Sequence, residues 1–107
     1  MDQEKYIEMF RERIEHLIKD IFYYIEYPSG VPEYIWKDGN GNYQHMNEMG
    51  LDHLKACIRL IDKNMKWFEE SNYKSEILFS QTKKGLFPLI DKKRSELDKI
   101  FNHKVKM

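Results

Sequence analysis

The stretch YIWKDGNGNYQHMNEMGLDHL, residues 34–54, decides the fold because it places a β-hairpin signal between two helical patterns. Asn40-Gly41 is typical of a type I′ turn, which needs two residues that tolerate positive φ. A two-residue loop at this point pairs Trp36 with His45 and Asp38 with Tyr43. The sequence therefore predicts a hairpin over about residues 33–47.

The predicted register gives the hairpin two different faces, since side chains alternate along a strand. One face would carry Tyr34, Trp36, Asp38, Tyr43 and His45. The other would carry Ile35, Lys37, Gln44 and Met46. A lone hairpin is marginal in water, so one face must pack on the helices. Either the aromatic face is exposed and offers a platform for a nucleotide base, or Trp36 faces inward and anchors the hairpin.

Apolar residues at helical spacing predict helices on both sides of the hairpin. The first is expected over about residues 3–26, and the second over about residues 51–70 with Gly50 as its N-cap. Gly85 suits a helix cap and Pro88 a helix start, which predicts helices over about residues 73–84 and 88–103. The alternative is a single helix kinked between Gly85 and Pro88.

The fold class that follows is mainly α, with a short β-hairpin inserted between helices 1 and 2. The chain, residues 1–107, is expected to form a single domain of three or four helices. The end of the first helix, IFYYIEY at residues 21–27, is apolar nearly all round and must be covered on every side. This feature, together with the charge distribution, predicts a homodimer or a higher oligomer.

The charge is divided along the chain although the total is zero. Residues 1–82 carry 10 Lys and Arg against 15 Asp and Glu, whereas residues 83–107 carry 8 against 3. The basic part is a candidate anion-binding surface. Its candidate cations, together with one from the second helix, are Arg59, Lys83, Lys84, Lys92, Lys93 and Arg94. The alternative is that the acidic and basic parts attract each other within the fold or between subunits.

The single cysteine and the absence of a long apolar run bear on location. Cys57 cannot form an internal disulfide, which suits a reducing cytoplasm. No stretch of about 18 apolar residues and no signal-peptide pattern is present. The sequence therefore predicts a cytoplasmic protein without a membrane partner.

Motifs for catalysis are scarce. His45, Glu48 and His53 are candidate metal ligands, but their H-x₂-E-x₄-H spacing is not a recognised metal motif. No glycine-rich phosphate loop, serine elbow or catalytic carboxylate pair is visible. Cys57 lies on an apolar helix face and is expected to be a core residue. We therefore expect a protein that is not an enzyme and carries no cofactor.

The opening stretch also resembles a pattern shared by small uncharacterised phage and prophage proteins. The pattern combines a Trp, an Asp/Asn-Gly turn, an Asp/Glu-Met pair and a His-Leu or His-Ile helix start. The matching positions are Trp36, Asn40-Gly41, Met46, Glu48-Met49, His53-Leu54 and Ile58. Gln44 and Ala56 depart from the pattern, which covers residues 36–61. The resemblance implies a phage accessory protein, and the relatives have no assigned activity.

These observations predict a small phage-type binding protein that acts against host defences. It would sequester a nucleotide-like anionic ligand, such as a signalling nucleotide, or block a host defence protein. Besides the cations above, the predicted ligand-binding residues are Tyr34, Trp36, Tyr43, His45 and His53. One alternative is a nucleic-acid-binding accessory protein that uses the basic C-terminal helix. The other is a metal-dependent hydrolase built on His45, Glu48 and His53.

Overall fold

The computed structural model describes residues 9, 12–13, 16–26, 32–71 and 81–106, with residues 81–86 described by their backbone alone. Within these ranges the chain forms three helices and one antiparallel hairpin, which lies between the first and second helices. Helix α1 is described at positions 9, 12–13 and 16–21, α2 spans Leu51–Glu70, and α3 spans Gln81–Val105. The prediction of a mainly α fold with an inserted hairpin is confirmed.

Helix α2 has the bounds that the sequence predicts, with Gly50 as its N-cap residue. Its apolar face is set by helical periodicity, because residues three and four positions apart lie on one side of a helix. The buried side chains of this face are Leu54, Cys57, Ile61 and Phe68. The rest of the core therefore packs against this apolar face of α2.

Helix α3 runs continuously through Pro88, so of the two alternatives for this segment the structure has the single helix rather than two helices separated at Gly85–Pro88. A proline inside a helix removes one backbone hydrogen bond and is unfavourable by itself. Packing on both sides of Pro88 offsets that cost: the Phe87 ring lies 4.7 Å from Phe68 and 6.1 Å from Phe22, and Ile90 is buried. Residues 73–80 of the predicted third helix lie outside the described residues.

The hairpin consists of β1, Ile35–Lys37, and β2, Tyr43–His45. The Asp38 amide donates to the Asn42 carbonyl at 2.8 Å and so continues the pairing, which leaves a three-residue loop, 39–41, rather than the predicted two-residue loop. The Gly41 amide donates to the Asp38 carbonyl at 3.0 Å, and Gly41 has φ of 84°. The Asp38 carboxylate accepts from the amides of Asn40 and Asn42, each at 2.9 Å. Asp at the first turn position, followed by a left-handed Gly, favours this longer loop.

The extra loop residue shifts the pairing by one position. Trp36 now pairs with Gln44, and Lys37 with Tyr43. A shift of one residue exchanges which side chains share a face. Consequently Trp36 lies on the face that packs on the helices, whereas Tyr43 and His45 lie on the opposite face with Ile35 and Lys37. The predicted aromatic face is not formed.

The helix α1 ends at residue 21, five residues before the predicted end. The following turn, closed by a hydrogen bond from the Ile25 amide to the Phe22 carbonyl at 3.1 Å, carries its apolar side chains into the core. Phe22, Tyr24 and Ile25 are buried within this one chain. The apolar character of this stretch therefore no longer argues for an oligomer, and the oligomeric state stays a prediction.

Helices α2 and α3 pack antiparallel, as contacts along their length show. The Phe68 and Phe87 rings meet at one end, Arg94 contacts Asp62 near the middle, and the Lys55 ammonium lies 5.9 Å from the Phe101 ring centre towards the other end.

Of the helices that the structure describes, none is both long enough and apolar enough to cross a membrane.

Candidate functional site

A groove of about 220 Å³, hereafter the hairpin groove, lies between the hairpin and α2. One face of α2 contributes His53, Ala56, Cys57 and Leu60. The hairpin contributes Trp36 and Asp38, and the turn after α1 contributes Tyr23. The groove therefore combines two aromatic rings, one carboxylate, one imidazole and an apolar floor.

Burial governs the chemistry of the groove floor. Desolvation raises the pKa of the Cys57 thiol to about 11, so the thiol is protonated at neutral pH. A protonated thiol is a poor nucleophile, because the thiolate is the reactive form. Cys57 therefore acts as a small apolar residue here, as the sequence predicts.

Trp36 is 3% exposed and stacks on Tyr24, with ring centres 4.6 Å apart and planes 11° apart. The Tyr24 hydroxyl accepts a hydrogen bond from the Asn64 amide at 3.1 Å, and that amide also donates to the Ile21 carbonyl. Burial raises the pKa of Tyr24. Trp36 is thus the anchor of the hairpin, which was the second of the two alternatives for this residue.

The opposite side of the hairpin, the outer face, consists of Ile35, Lys37, Tyr43 and His45. Tyr43 is 52% exposed. The Lys37 ammonium lies 5.9 Å from the centre of its ring, and the Tyr43 hydroxyl donates to the Glu26 carboxylate. His45 is exposed beside it. The outer face thus displays an aromatic ring between two polar contacts.

Tyr34 lies at the base of β1 in an unusual backbone conformation, with φ of 58°. The left-handed region is uncommon for a residue other than glycine. Two hydrogen bonds hold it: the Tyr34 amide donates to Glu96 Oε2 at 2.8 Å, and the Tyr34 carbonyl accepts from the Met46 amide at 2.9 Å. Tyr34 is therefore a structural joint between the hairpin and α3.

Lys93, a predicted anion ligand, is 2% exposed and turned towards the hairpin. Its ammonium donates to the carbonyls of Pro32, at 3.1 Å, and Ile35, and lies 3.7 Å from Glu96 Oε1. Burial lowers the pKa of Lys93, while the Glu96 carboxylate acts in the opposite direction. Among the described residues, Oε1 of Glu96 accepts no hydrogen bond. The Lys93 ammonium is the positive charge that neutralises this buried carboxylate.

Two of the other predicted cations, Lys92 and Arg94, contact acidic residues within the fold. Arg94 contacts Asp62 at 3.0 Å and also binds Asp98, and Lys92 lies 3.5 Å from Glu33. Arg59 is exposed on α2. Lys83 and Lys84 belong to α3 by their backbone, but their side chains lie outside the described residues. The basic segment thus contacts acidic residues of the same chain, which was one of the two explanations for the divided charge.

The candidate metal ligands do not converge. Among the residues placed by the structure, no three His, Cys, Asp or Glu side chains lie close enough to hold a metal ion. His53 lines the hairpin groove, whereas His45 lies on the outer face. The hydrolase alternative therefore gains no support from the geometry.

The groove also contains residues that the sequence analysis did not select. Asp38 had a usable signal, because the run Asp-Gly-Asn-Gly is typical of a turn whose first side chain caps the loop. No sequence signal identifies Tyr23 or Leu60 as groove residues, since each reaches the groove through tertiary packing. Of the nine predicted ligand-binding residues whose side chains the structure describes, the groove brings together only Trp36 and His53.

Comparison of the chain with protein-family models, with curated proteins and with solved structures finds no match.

Proposed function

We propose that this chain is a non-enzymatic binding protein whose target is another protein, contacted through the outer face of the hairpin. The observation that supports this proposal is the half-exposed Tyr43 ring beside the Lys37 ammonium. Aromatic residues are enriched at protein interfaces, where they supply much of the binding energy.

The support beneath the outer face adds to the argument. Trp36 and Met46 are buried below the hairpin, and Lys93 ties β1 to α3. A side chain on a rigid support loses little conformational freedom on binding, which favours affinity. The outer face is therefore a preformed surface, which suits the recognition of a partner protein.

A protein target is preferred over a nucleotide for three reasons. Trp36 is buried, so it offers no exposed ring on which a base could stack. The Lys93 ammonium already donates to backbone carbonyls, and the Arg94 guanidinium already contacts two carboxylates. The same engagements weaken the nucleic-acid alternative, which needs several free cations for phosphates. The resemblance of residues 36–61 to phage proteins makes a host defence protein the first target to test.

The test is affinity capture from lysates of candidate bacterial hosts with three versions of the tagged chain. These are the wild type, Tyr43→Ala and a matched control, Leu51→Ala, which truncates a 40% exposed apolar residue on α2. We expect a protein that the wild type and the control retain and that Tyr43→Ala loses. Binding to the purified target should weaken at least about fivefold, since interface aromatic residues often contribute more than 1 kcal/mol.

Two results would contradict the proposal. One is that no captured protein distinguishes Tyr43→Ala from Leu51→Ala. The other is that denaturation of the purified wild type releases a stoichiometric nucleotide, identified by mass spectrometry, which would return the function to ligand sequestration.

A further inference from the structure

The hairpin groove is the size of a side chain. Its volume of about 220 Å³ is below the roughly 300–1,000 Å³ of sites that enclose drug-sized ligands. A nucleotide does not fit such a volume, whereas a single long side chain does. The groove is therefore suited to one projecting group of a larger molecule.

The charge of the lining selects the kind of group. Asp38 supplies the one carboxylate of the lining, and no lysine or arginine is among the described residues that form it. Oδ1 of Asp38 accepts the amides of Asn40 and Asn42, which fixes the carboxylate at the groove edge. The electrostatics of the lining therefore favour a cation.

The aromatic rings favour the same group. Tyr23 and Trp36 line the groove, but Trp36 is buried and stacks on Tyr24, so the half-buried Tyr23 ring is the one that an incoming group can reach. The faces of aromatic rings attract ammonium and guanidinium groups within about 6 Å. Ala56, Cys57 and Leu60 provide an apolar surface. Lysine and arginine side chains combine a methylene stem with a charged head, so the stem can contact this surface while the head meets the carboxylate.

We infer that the hairpin groove receives the cationic side chain of an arginine or lysine from a protein partner, with Asp38 facing its charge. The inference rests on the proposed function only in assigning the cation to a protein. It adds a second contact point, distinct from the outer face, and it states the chemistry of the partner.

The test titrates the full chain with blocked single residues and follows the amide resonances of His53, Ala56 and Leu60 by NMR. The probes are N-acetyl-arginine amide and N-acetyl-lysine amide, with N-acetyl-norleucine amide as the neutral control of similar shape. We expect saturable shifts with both cations, and binding up to about fivefold weaker for norleucine, the scale of a partly exposed ion pair.

Two variants assign the effect to Asp38. Asp38→Asn keeps an oxygen that can accept both loop amides but removes the charge, so the loop is retained and cation binding should fall about fivefold. Asp52→Asn removes an exposed carboxylate of α2 that does not line the groove, and should bind as the wild type does.

Three outcomes would overturn the inference. They are equal binding of norleucine and lysine probes, equal binding by Asp38→Asn and the wild type, and no saturable shift at these amides. A dimer that Asp38→Asn dissociates in sedimentation would instead assign the groove to a second copy of the chain. Because these probes need no partner, their failure is distinct from failure of the proposed function, which is read from capture through Tyr43.

Discussion

The two faces of the hairpin differ more than their sequences suggest. Trp36 and Tyr43 are both aromatic residues in short strands, seven positions apart, yet Trp36 is 3% exposed and Tyr43 is 52% exposed. The difference comes from one extra loop residue, which places them on opposite faces. A large aromatic residue therefore identifies either an anchor or a contact surface only after the strand register is known.

Two neighbouring basic residues of α3 also differ in how their charges are surrounded. The Lys93 ammonium is buried against two backbone carbonyls and Glu96, whereas its neighbour Arg94 forms an exposed network with Asp62 and Asp98. A buried charge that loses its partner is costly, whereas an exposed ion pair contributes little. Adjacent residues of one basic run thus have unequal weight in stability.

The largest expected effect comes from Trp36→Ala on the inner face. The substitution removes the Tyr24 stacking contact and leaves a cavity at the centre of the core. We expect the free energy of unfolding to fall by about 3–5 kcal/mol, typical for truncation of a buried Trp. Urea denaturation followed by circular dichroism measures it. An unchanged denaturation midpoint would show that Trp36 is not the anchor.

An effect of about 3 kcal/mol is expected for Lys93→Met, which leaves the Glu96 carboxylate buried without its ammonium. The double variant Lys93→Met/Glu96→Leu should be less destabilised than the single variant, because no lone charge remains. It should not regain full stability, since the Tyr34 amide loses its acceptor. Equal losses in both variants, measured by the same denaturation, would rule out the charge as the cause.

The smallest effect is expected for Tyr43→Ala on the outer face. The ring is half exposed, and its hydroxyl contacts only the Glu26 carboxylate among the residues described here. Surface substitutions of this kind usually change the free energy of unfolding by less than about 0.5 kcal/mol. Thermal and urea denaturation should therefore match the wild type. A loss comparable to that of Trp36→Ala would mean that both faces support the core.

Features that depend on neighbouring residues were predictable from the sequence. The bounds of α2, its Gly50 N-cap and the presence of a hairpin around Asn40-Gly41 follow from local periodicity, capping and turn preferences. The mainly α class follows from the same signals. Local backbone energetics decide these features, so a short window of sequence contains them.

Features that depend on contacts between distant residues became visible only in the folded chain. The course of α3 through Pro88 depends on Phe87 and Ile90 packing in the core, and the burial of Lys93 depends on carbonyls about 60 positions away. The hairpin groove likewise joins three separate segments. Sequence patterns report the preference of each segment alone, whereas these features arise from free energies that exist only once the segments meet.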